Sequence, residues 1–282
     1  MKKKIAMSLV VASMLVFAGC GNSNNTASTV SSQAESQVES SAVSEAAESE
    51  SAAEESTEEA VAEDVKSEGV MTYEEYVAAD VDTEVVVETY VQAKQSWWED
   101  KATVYTQDLD GAYFLYNMAC SEEDYAKLVP GTKIKVTGYK SEWSGEVEII
   151  DATFEIEEGT YVAPVTDVTE LLGKDELIDY QNRFVSFKGM TVEAAGQDAD
   201  GNDVAFLYSY DGSGTDGDDL YFNVSLNGET YTFTVESYLC DNTTEVYNAV
   251  KNLTIGDKID MEGFLYWYNG VNPHITSVTV AE

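Results

Sequence analysis

The frame G-x-K-I-x-x-x-G-x6-G occurs twice in this chain, from Gly131 to Gly145 and again from Gly256 to Gly270, 125 positions apart. In the first copy Ile134 and Val136 alternate with Lys133, Lys135 and Thr137, the period of a half-buried strand. The second copy keeps Lys258, Ile259 and the three glycines and changes the rest. A glycine inside a strand pattern marks a sharp bend or a close approach of another backbone. Gly138 and Gly263 hold that place, so the two copies carry one structural instruction.

The flanks repeat as well. In copy one "EVVVETYVQAK" (84–94) reads as a first strand. "ATVYTQ" and "AYFLYNM" flank Asp110-Gly111, a hairpin signal. "SEEDYAKLV" is a short helix capped by Ser121, and "EVEIIDATFEI" closes the copy. In copy two "RFVSFKGMTVEA" (183–194) is the first strand, continued by "AFLYSY" after an acidic loop. "LYFNVSL" and "TYTFTVES" flank Asn227-Gly228; "DNTTEVYNAVKNL" is a helix with Asp241 or Asn242 as cap. "KIDMEGFLYWY" and "HITSVTV" finish the chain. Thr72 with Glu75, and Asp167 with Glu170, place a capped helical turn ahead of each copy.

Five strands with a helix between the third and fourth, ending at a repeated glycine, closely resemble an OB-fold barrel. The expected class is all-β with short helices: two tandem five-stranded OB-fold barrels, at 69–160 and 161–282, following a disordered tether. The chain is similar in style to tandem OB lipoproteins of bacteria. That resemblance implies a ligand on strands two and three, between the loops joining strands one and two and strands four and five. Trp97 and Trp98 fall in the first of those loops and Trp143 in the second. Three indoles converging on one end, extended by Tyr113 or Tyr116, would form a stacking platform. Tyr266, Trp267 and Tyr268 repeat the pattern in copy two.

The amino terminus reads separately. Lys2, Lys3 and Lys4 precede an apolar run from Ile5 to Ala18, too short for a membrane span and suited to a signal peptide over 1–20. Phe17-Ala18-Gly19-Cys20 resembles the lipobox of bacterial lipoproteins, with Phe17 where Leu is usual. The resemblance implies lipidation of Cys20 and an anchor on the outer face of the cell membrane. Residues 21–68 are almost entirely Ser, Glu, Ala, Thr, Asn, Gln and Val, without an aromatic, and are expected to stay disordered. Such a tether reaches roughly 35–40 Å.

Charge narrows the partners. Residues 69–282 hold 11 Lys and Arg against 41 Asp and Glu, a net of −30. Phosphate contacts through Lys and Arg supply most non-specific nucleic-acid affinity, so nucleic acid is expected to be disfavoured. The acidic loops offer Asp198, Asp200 and Asp203 as calcium ligands, but the EF-hand register is missing and solvated turns are preferred. Cys120 and Cys240 occupy equivalent places, as buried small hydrophobes or as an inter-domain disulfide. The single histidine, His274, aligns with Ile149, and no nucleophile has a base beside it. The expected function is therefore a lipid-anchored, extracytoplasmic, non-catalytic binding module for a glycan, a cell-wall fragment or a surface protein. Nucleic-acid binding is the alternative, and a carboxylate-dependent enzyme ranks last.

Overall fold

The computed structural model describes residues 65–281. The signal segment, Cys20 and nearly all of the tether lie outside the described residues.

Barrel one is built from β1 (Glu84–Lys94), β2 (Lys101–Gln107), β3 (Ala112–Ala119), β4 (Thr132–Trp143) and β5 (Glu146–Thr160). They close in the order β1-β2-β3-β5-β4. β1 serves two neighbours: Glu84 to Tyr90 pair with β4, and Tyr90 to Lys94 pair with β2 across a bulge. The closing β3–β5 contact is parallel. Successive strand residues point to opposite faces, so Val85, Val87, Val104, Leu115, Ile134, Val136 and Ile149 fill the centre.

Two short helices serve this barrel. α1 (Tyr73–Ala78) opens with a complete capping box between Thr72 and Glu75. Its carboxy end is satisfied by a buried lysine: Lys140 Nζ donates to the carbonyls of Tyr76, Val77 and Ala79. α2 (Glu122–Tyr125) lies between β3 and β4 with Ser121 as its cap.

Barrel two repeats the order with decoration. β6 (Thr166–Asp167) pairs with β7 (Phe184–Glu193), the acidic loop folds as β8 (Gly196–Gln197) and β9 (Asp203–Val204), and β10 (Phe206–Tyr208) follows. β11 (Leu220–Leu226), β12 (Glu229–Val235), β13 (Lys258–Phe264) and β14 (His274–Val280) complete the set. The ring runs β7-β11-β12-β14-β13 and back to β7, with a parallel β12–β14 contact. α3 (Glu245–Lys251) seats Val246, Tyr247 and Val250 in the core.

Three local expectations change. Residues 206–208 do not prolong β7; they pair outside β11, Phe206 opposite Phe222, because the acidic hairpin has already reversed the chain. The cap of α3 is Thr244, while Asp241 closes the preceding turn on Thr243. Asp167 starts no α-helix: its carboxylate accepts from the Thr169 N–H and hydroxyl, and a single 3-10 turn follows at Thr169–Leu171.

Gly138 and Gly263 sit where strands approach most closely. A Cβ on Gly263 would lie 2.2 Å from the His274 carbonyl oxygen. One on Gly138 would lie 2.7 Å from the Ile149 side chain and 2.8 Å from the Ile150 carbonyl oxygen. No larger residue fits either place without moving the last strand. Cys120 and Cys240 are both free and buried.

The barrels share a third apolar core. Tyr105 of β2 and Phe114 of β3, on the outer face of barrel one, meet Phe264 of barrel two. The rings of Tyr105 and Phe264 stack at 4.4 Å and 14°, with Phe184 beyond at 5.3 Å. Such pairs contribute about 0.5–1.5 kcal/mol each beyond the area they bury. Polar bonds frame the contact. Phe184 N–H donates to Gln107 Oε1 at 3.0 Å, and Trp267 N–H donates to Glu146 Oε2 at 2.9 Å. Asn269 N–H donates to the Ser144 carbonyl at 2.7 Å, tying together the two hairpins that carry the third repeated glycine. Glu146 is fully buried in this contact and its Oε1 has no hydrogen-bond partner among the described residues. Burial pushes its carboxyl up to about 8, against the lowering effect of Asn182 and the Trp267 N–H.

Candidate functional site

Along one edge of the shared core the two barrels leave a cleft of about 410 Å³. Its base is apolar: Phe114 is buried, and its ring lies 5.4 Å from that of Tyr266, edge to face. Tyr266 in turn stacks on His274 at 4.3 Å and 25°. Around this base stand three exposed rings, Trp98 (70% exposed), Tyr116 (46%) and Tyr238 (67%). Trp98 comes from the β1–β2 loop, Tyr116 from β3, and Tyr238 from the segment after β12. The two loops are fastened to each other, because Ser96 N–H donates to the Tyr238 carbonyl at 2.7 Å. Large aromatic faces held open in this way are costly to leave in water and suit a flat ligand.

Few charges enter the cleft. Lys101 is its one lining lysine. Glu236, just past the end of β12, is buried, and its carboxyl is pushed up to about 7, first by burial and then by Asp219. Its Oε1 accepts from the Tyr238 N–H at 3.3 Å, and its Oε2 has no hydrogen-bond partner among the described residues. His274 is pulled down to about 3 by burial, so its ring is neutral; its Nδ1 lies 2.8 Å from Tyr105 Oη. Other lysines of copy one are committed elsewhere. Lys133 pairs with Glu88 and Glu157, Lys140 is buried on α1, and Lys94 lies over the Tyr125 ring.

The structure separates the residues that the sequence groups together. Of the three indoles only Trp98 lines the cleft. Trp97 is half-buried and donates its Nε1–H to the Cys120 carbonyl at 2.9 Å. Trp143 is exposed at the end of β4, with its ring 5.1 Å from Tyr268. Tyr113 points into barrel one, wholly buried, and donates to Asp108 at 2.9 Å, so it cannot join a surface platform. Tyr116 and Tyr266 do reach the cleft. Trp267 packs on the core of barrel two, and Tyr268 lies on a separate groove with Tyr210 and Tyr221.

Two of the three candidate calcium ligands, Asp198 and Asp203, accept hydrogen bonds within their own turn. Asp198 Oδ1 accepts from the N–H groups of Asp200 and Asn202, and Asp203 accepts from Gln197. Among the described residues no group of three or more His, Cys, Asp or Glu side chains is arranged to hold a metal ion.

Sequence reasoning missed Phe114, Tyr238, Glu236 and His274. Their signal is inter-barrel, and nothing in either copy alone places them together. His274 in particular aligns with a plain strand residue, and becomes part of the site only because the other barrel covers it.

No protein-family model and no curated protein sequence matches the chain. Among solved structures it is similar to a murine DNA-binding protein bound with double-stranded DNA, at 11% identity over 70% of this chain and 96% of that one, with a TM-score of 0.34. It is also similar to the HINa domain of Ifi202 in complex with 20-bp double-stranded DNA, at 12% identity over 71% and 96%, TM-score 0.31. A third is the p204 HINb domain, at 10% identity over 72% and 100%, TM-score 0.33.

Two expectations about partners are corrected. The extracytoplasmic module for a glycan, cell-wall fragment or surface protein rested on a three-indole platform, and that platform is not assembled. The expectation that nucleic acid is disfavoured draws on the excess of acidic over basic residues and on a place outside the cell. The cleft does not share that charge: half of its lining residues carry rings, and among the described residues it is lined by one carboxylate, the buried Glu236, and one lysine, Lys101.

Proposed function

We propose that the chain is a non-catalytic, nucleic-acid-binding protein of OB-like barrels that holds a single strand by its bases in the inter-barrel cleft. The observation that supports this reading is the gathering of Trp98, Tyr116 and Tyr238 around the Phe114–Tyr266 base. Every base has a π-face, and stacking on an aromatic side chain is worth about 1–3 kcal/mol per base. The phosphates gain little here. Residues 69–282 carry a net of −30, and Lys101 is the lysine at hand. Binding should therefore depend on salt in the opposite sense to ordinary nucleic-acid binding, where added salt weakens the contact. Here salt screens repulsion and leaves stacking intact.

The test is fluorescence anisotropy of a labelled single strand across a salt series. Affinity is expected to hold level or rise with salt, and Trp98→Ala or Tyr116→Ala to weaken it by about 5- to 150-fold, the equivalent of one lost stack. A strand with a neutral backbone should bind more tightly than DNA. A steep loss of affinity with salt, or preference for duplex over single strand, would overturn the reading. Where the protein resides is a separate part of the proposal. Cys20 is taken to be acylated and to hold the chain at the outer face of a cell membrane, and fatty-acid labelling of the full chain should be lost in Cys20→Ser.

A further inference from the structure

Resting on that reading, the cleft holds one group that stacking does not use. Glu236 is 8% exposed, and the backbone on its carboxyl side keeps only Oε1 occupied, by the Tyr238 N–H. Oε2 is buried without a partner among the described residues. Gln95, reaching across from barrel one, and the Leu239 N–H also hold the carboxyl pKa down as hydrogen-bonding neighbours, neither of them placed to bond Oε2 directly. A buried acceptor left unpaired carries a desolvation penalty, which a donor on a ligand would recover. A carboxylate is acceptor-only, with two oxygens that can take a pair of adjacent donors.

We propose that Glu236 sets base preference in the cleft, selecting guanine, whose Watson–Crick edge carries two neighbouring N–H donors. Adenine and cytosine set a ring-nitrogen acceptor beside their single amino donor, and that acceptor would face the carboxylate. Thymine flanks its one N–H with two carbonyl oxygens. Inosine keeps the ring N–H of guanine and lacks the amino group, so it isolates the second bond. Recognition of a splayed base along this edge, with its faces on aromatic rings, is a common way of reading single strands.

The surroundings favour this division of labour. His274 is neutral and cannot neutralise the carboxylate as a cation would. The phenols of Tyr105, Tyr221 and Tyr266 and the Cys240 thiol are all raised, so they remain protonated beside it. Among the described residues the permanent charge acting on it is Asp219, which repels; Lys101 also lines the cleft. With the carboxyl half-protonated at about pH 7, guanine preference should strengthen as pH rises through that value, because the protonated form accepts at one oxygen only.

The experiment uses oligo(dT) strands with one central guest base, guanine, inosine, adenine or cytosine, titrated into the full chain by anisotropy. Guanine is expected to bind about tenfold more tightly than inosine, as one hydrogen bond to a charged group predicts. The guanine-to-inosine ratio should grow between about pH 6 and pH 8, and in Glu236→Gln it should fall near one and lose its pH dependence. Equal binding of all four guests by the wild-type chain overturns this inference and leaves base stacking standing. Binding of none overturns both. If Glu236→Gln fails to fold, by its thermal melt, the wild-type guanine and inosine pair decides the matter alone.

Discussion

Barrel one and barrel two share one strand order, yet the outer faces of their second and third strands differ in what they meet. In barrel one, β2 is buried at every position from Ala102 to Gln107, although only alternate residues face its own core. In barrel two, β11 alternates buried Leu220, Phe222 and Val224 with half-buried Tyr221 and Asn223. The difference lies in the partner. Tyr105 and Phe114 are covered by Phe264 and Phe184 of the other barrel, whereas Tyr221 faces an open groove. A duplicated fold thus gives one barrel a face glued to its twin and leaves the cleft along the seam. The ligand end is a property of the pair.

The largest effect expected from this contrast is at the seam. Phe264→Ala should cost about 3–5 kcal/mol, the usual range for emptying a buried aromatic site. It should also split a single calorimetric unfolding peak into two, because the stacked Tyr105 loses its partner. Thr232→Ala, on the exposed face of barrel two, should stay within about 0.5 kcal/mol. Equal costs would mean that the two faces do not differ in kind.

The repeated glycines sharpen the comparison next. Gly263→Ala drives a methyl to 2.2 Å from the His274 carbonyl oxygen, while Gly138→Ala meets the Ile149 side chain at 2.7 Å and the Ile150 carbonyl oxygen at 2.8 Å, a lesser overlap. Overpacking of this kind costs about 1–3 kcal/mol, and denaturant midpoints should place Gly263→Ala at or above the top of that range and Gly138→Ala below it. The reverse order would show that the strands of barrel two yield more easily than those of barrel one.

A smaller effect should appear as a slope in pH. Glu146 belongs to barrel one and is buried by the Trp267 hairpin of barrel two. Its folded pKa is raised, so its contribution is fully present below the unfolded value of 4.5 and is lost as pH climbs through about 8. Between those limits stability should fall by at most about 1.4 kcal/mol per pH unit from this group. Thermal melts across that window should show the fall, and Glu146→Gln should reduce it, leaving the part that the raised carboxyl of Glu236 contributes. A wild-type melt that holds level from mild acid to pH 8 would remove Glu146 from the seam's energetics.

Much of the architecture was legible in the sequence because it is written locally. The alternation of Ile134 and Val136, the Asp-Gly and Asn-Gly turns and the Thr72–Glu75 box each act within a few residues. Both five-stranded rings follow from them. The site was less legible because no local rule ties Tyr105 or Glu236 to the other copy. Trp98, Tyr116 and Tyr266 were found as loop and strand aromatics, and they do line the cleft. Tyr113 was misplaced by one step: Phe114 faces outward and Tyr113 inward, and an aromatic pair in series does not reveal which member takes which side. Trp97 looked like Trp98 on paper, but its indole N–H found the Cys120 carbonyl.

The smallest difference concerns the helices that close the two barrels. α3 spans seven residues and buries Val246, Tyr247 and Val250, whereas α2 has four and buries none. Tyr247 also donates its hydroxyl to the Asp218 carbonyl and accepts from the Gly217 N–H, so the helix holds the loop before β11 as well as the core. Each helix is capped by one hydroxyl, Thr244 and Ser121, on a backbone N–H three residues on. Removing such a cap costs about 0.5–2 kcal/mol when the helix end it supports is itself needed. Thr244→Ala should therefore cost about 1 kcal/mol in global stability, read from the denaturant midpoint, since fraying α3 unseats three core residues. Ser121→Ala should cost a few tenths, since α2 can fray without opening barrel one. Similar losses from the two would mean that α2 carries packing that its burial does not reveal, and the contrast between a plugged barrel and a merely bridged one would fail.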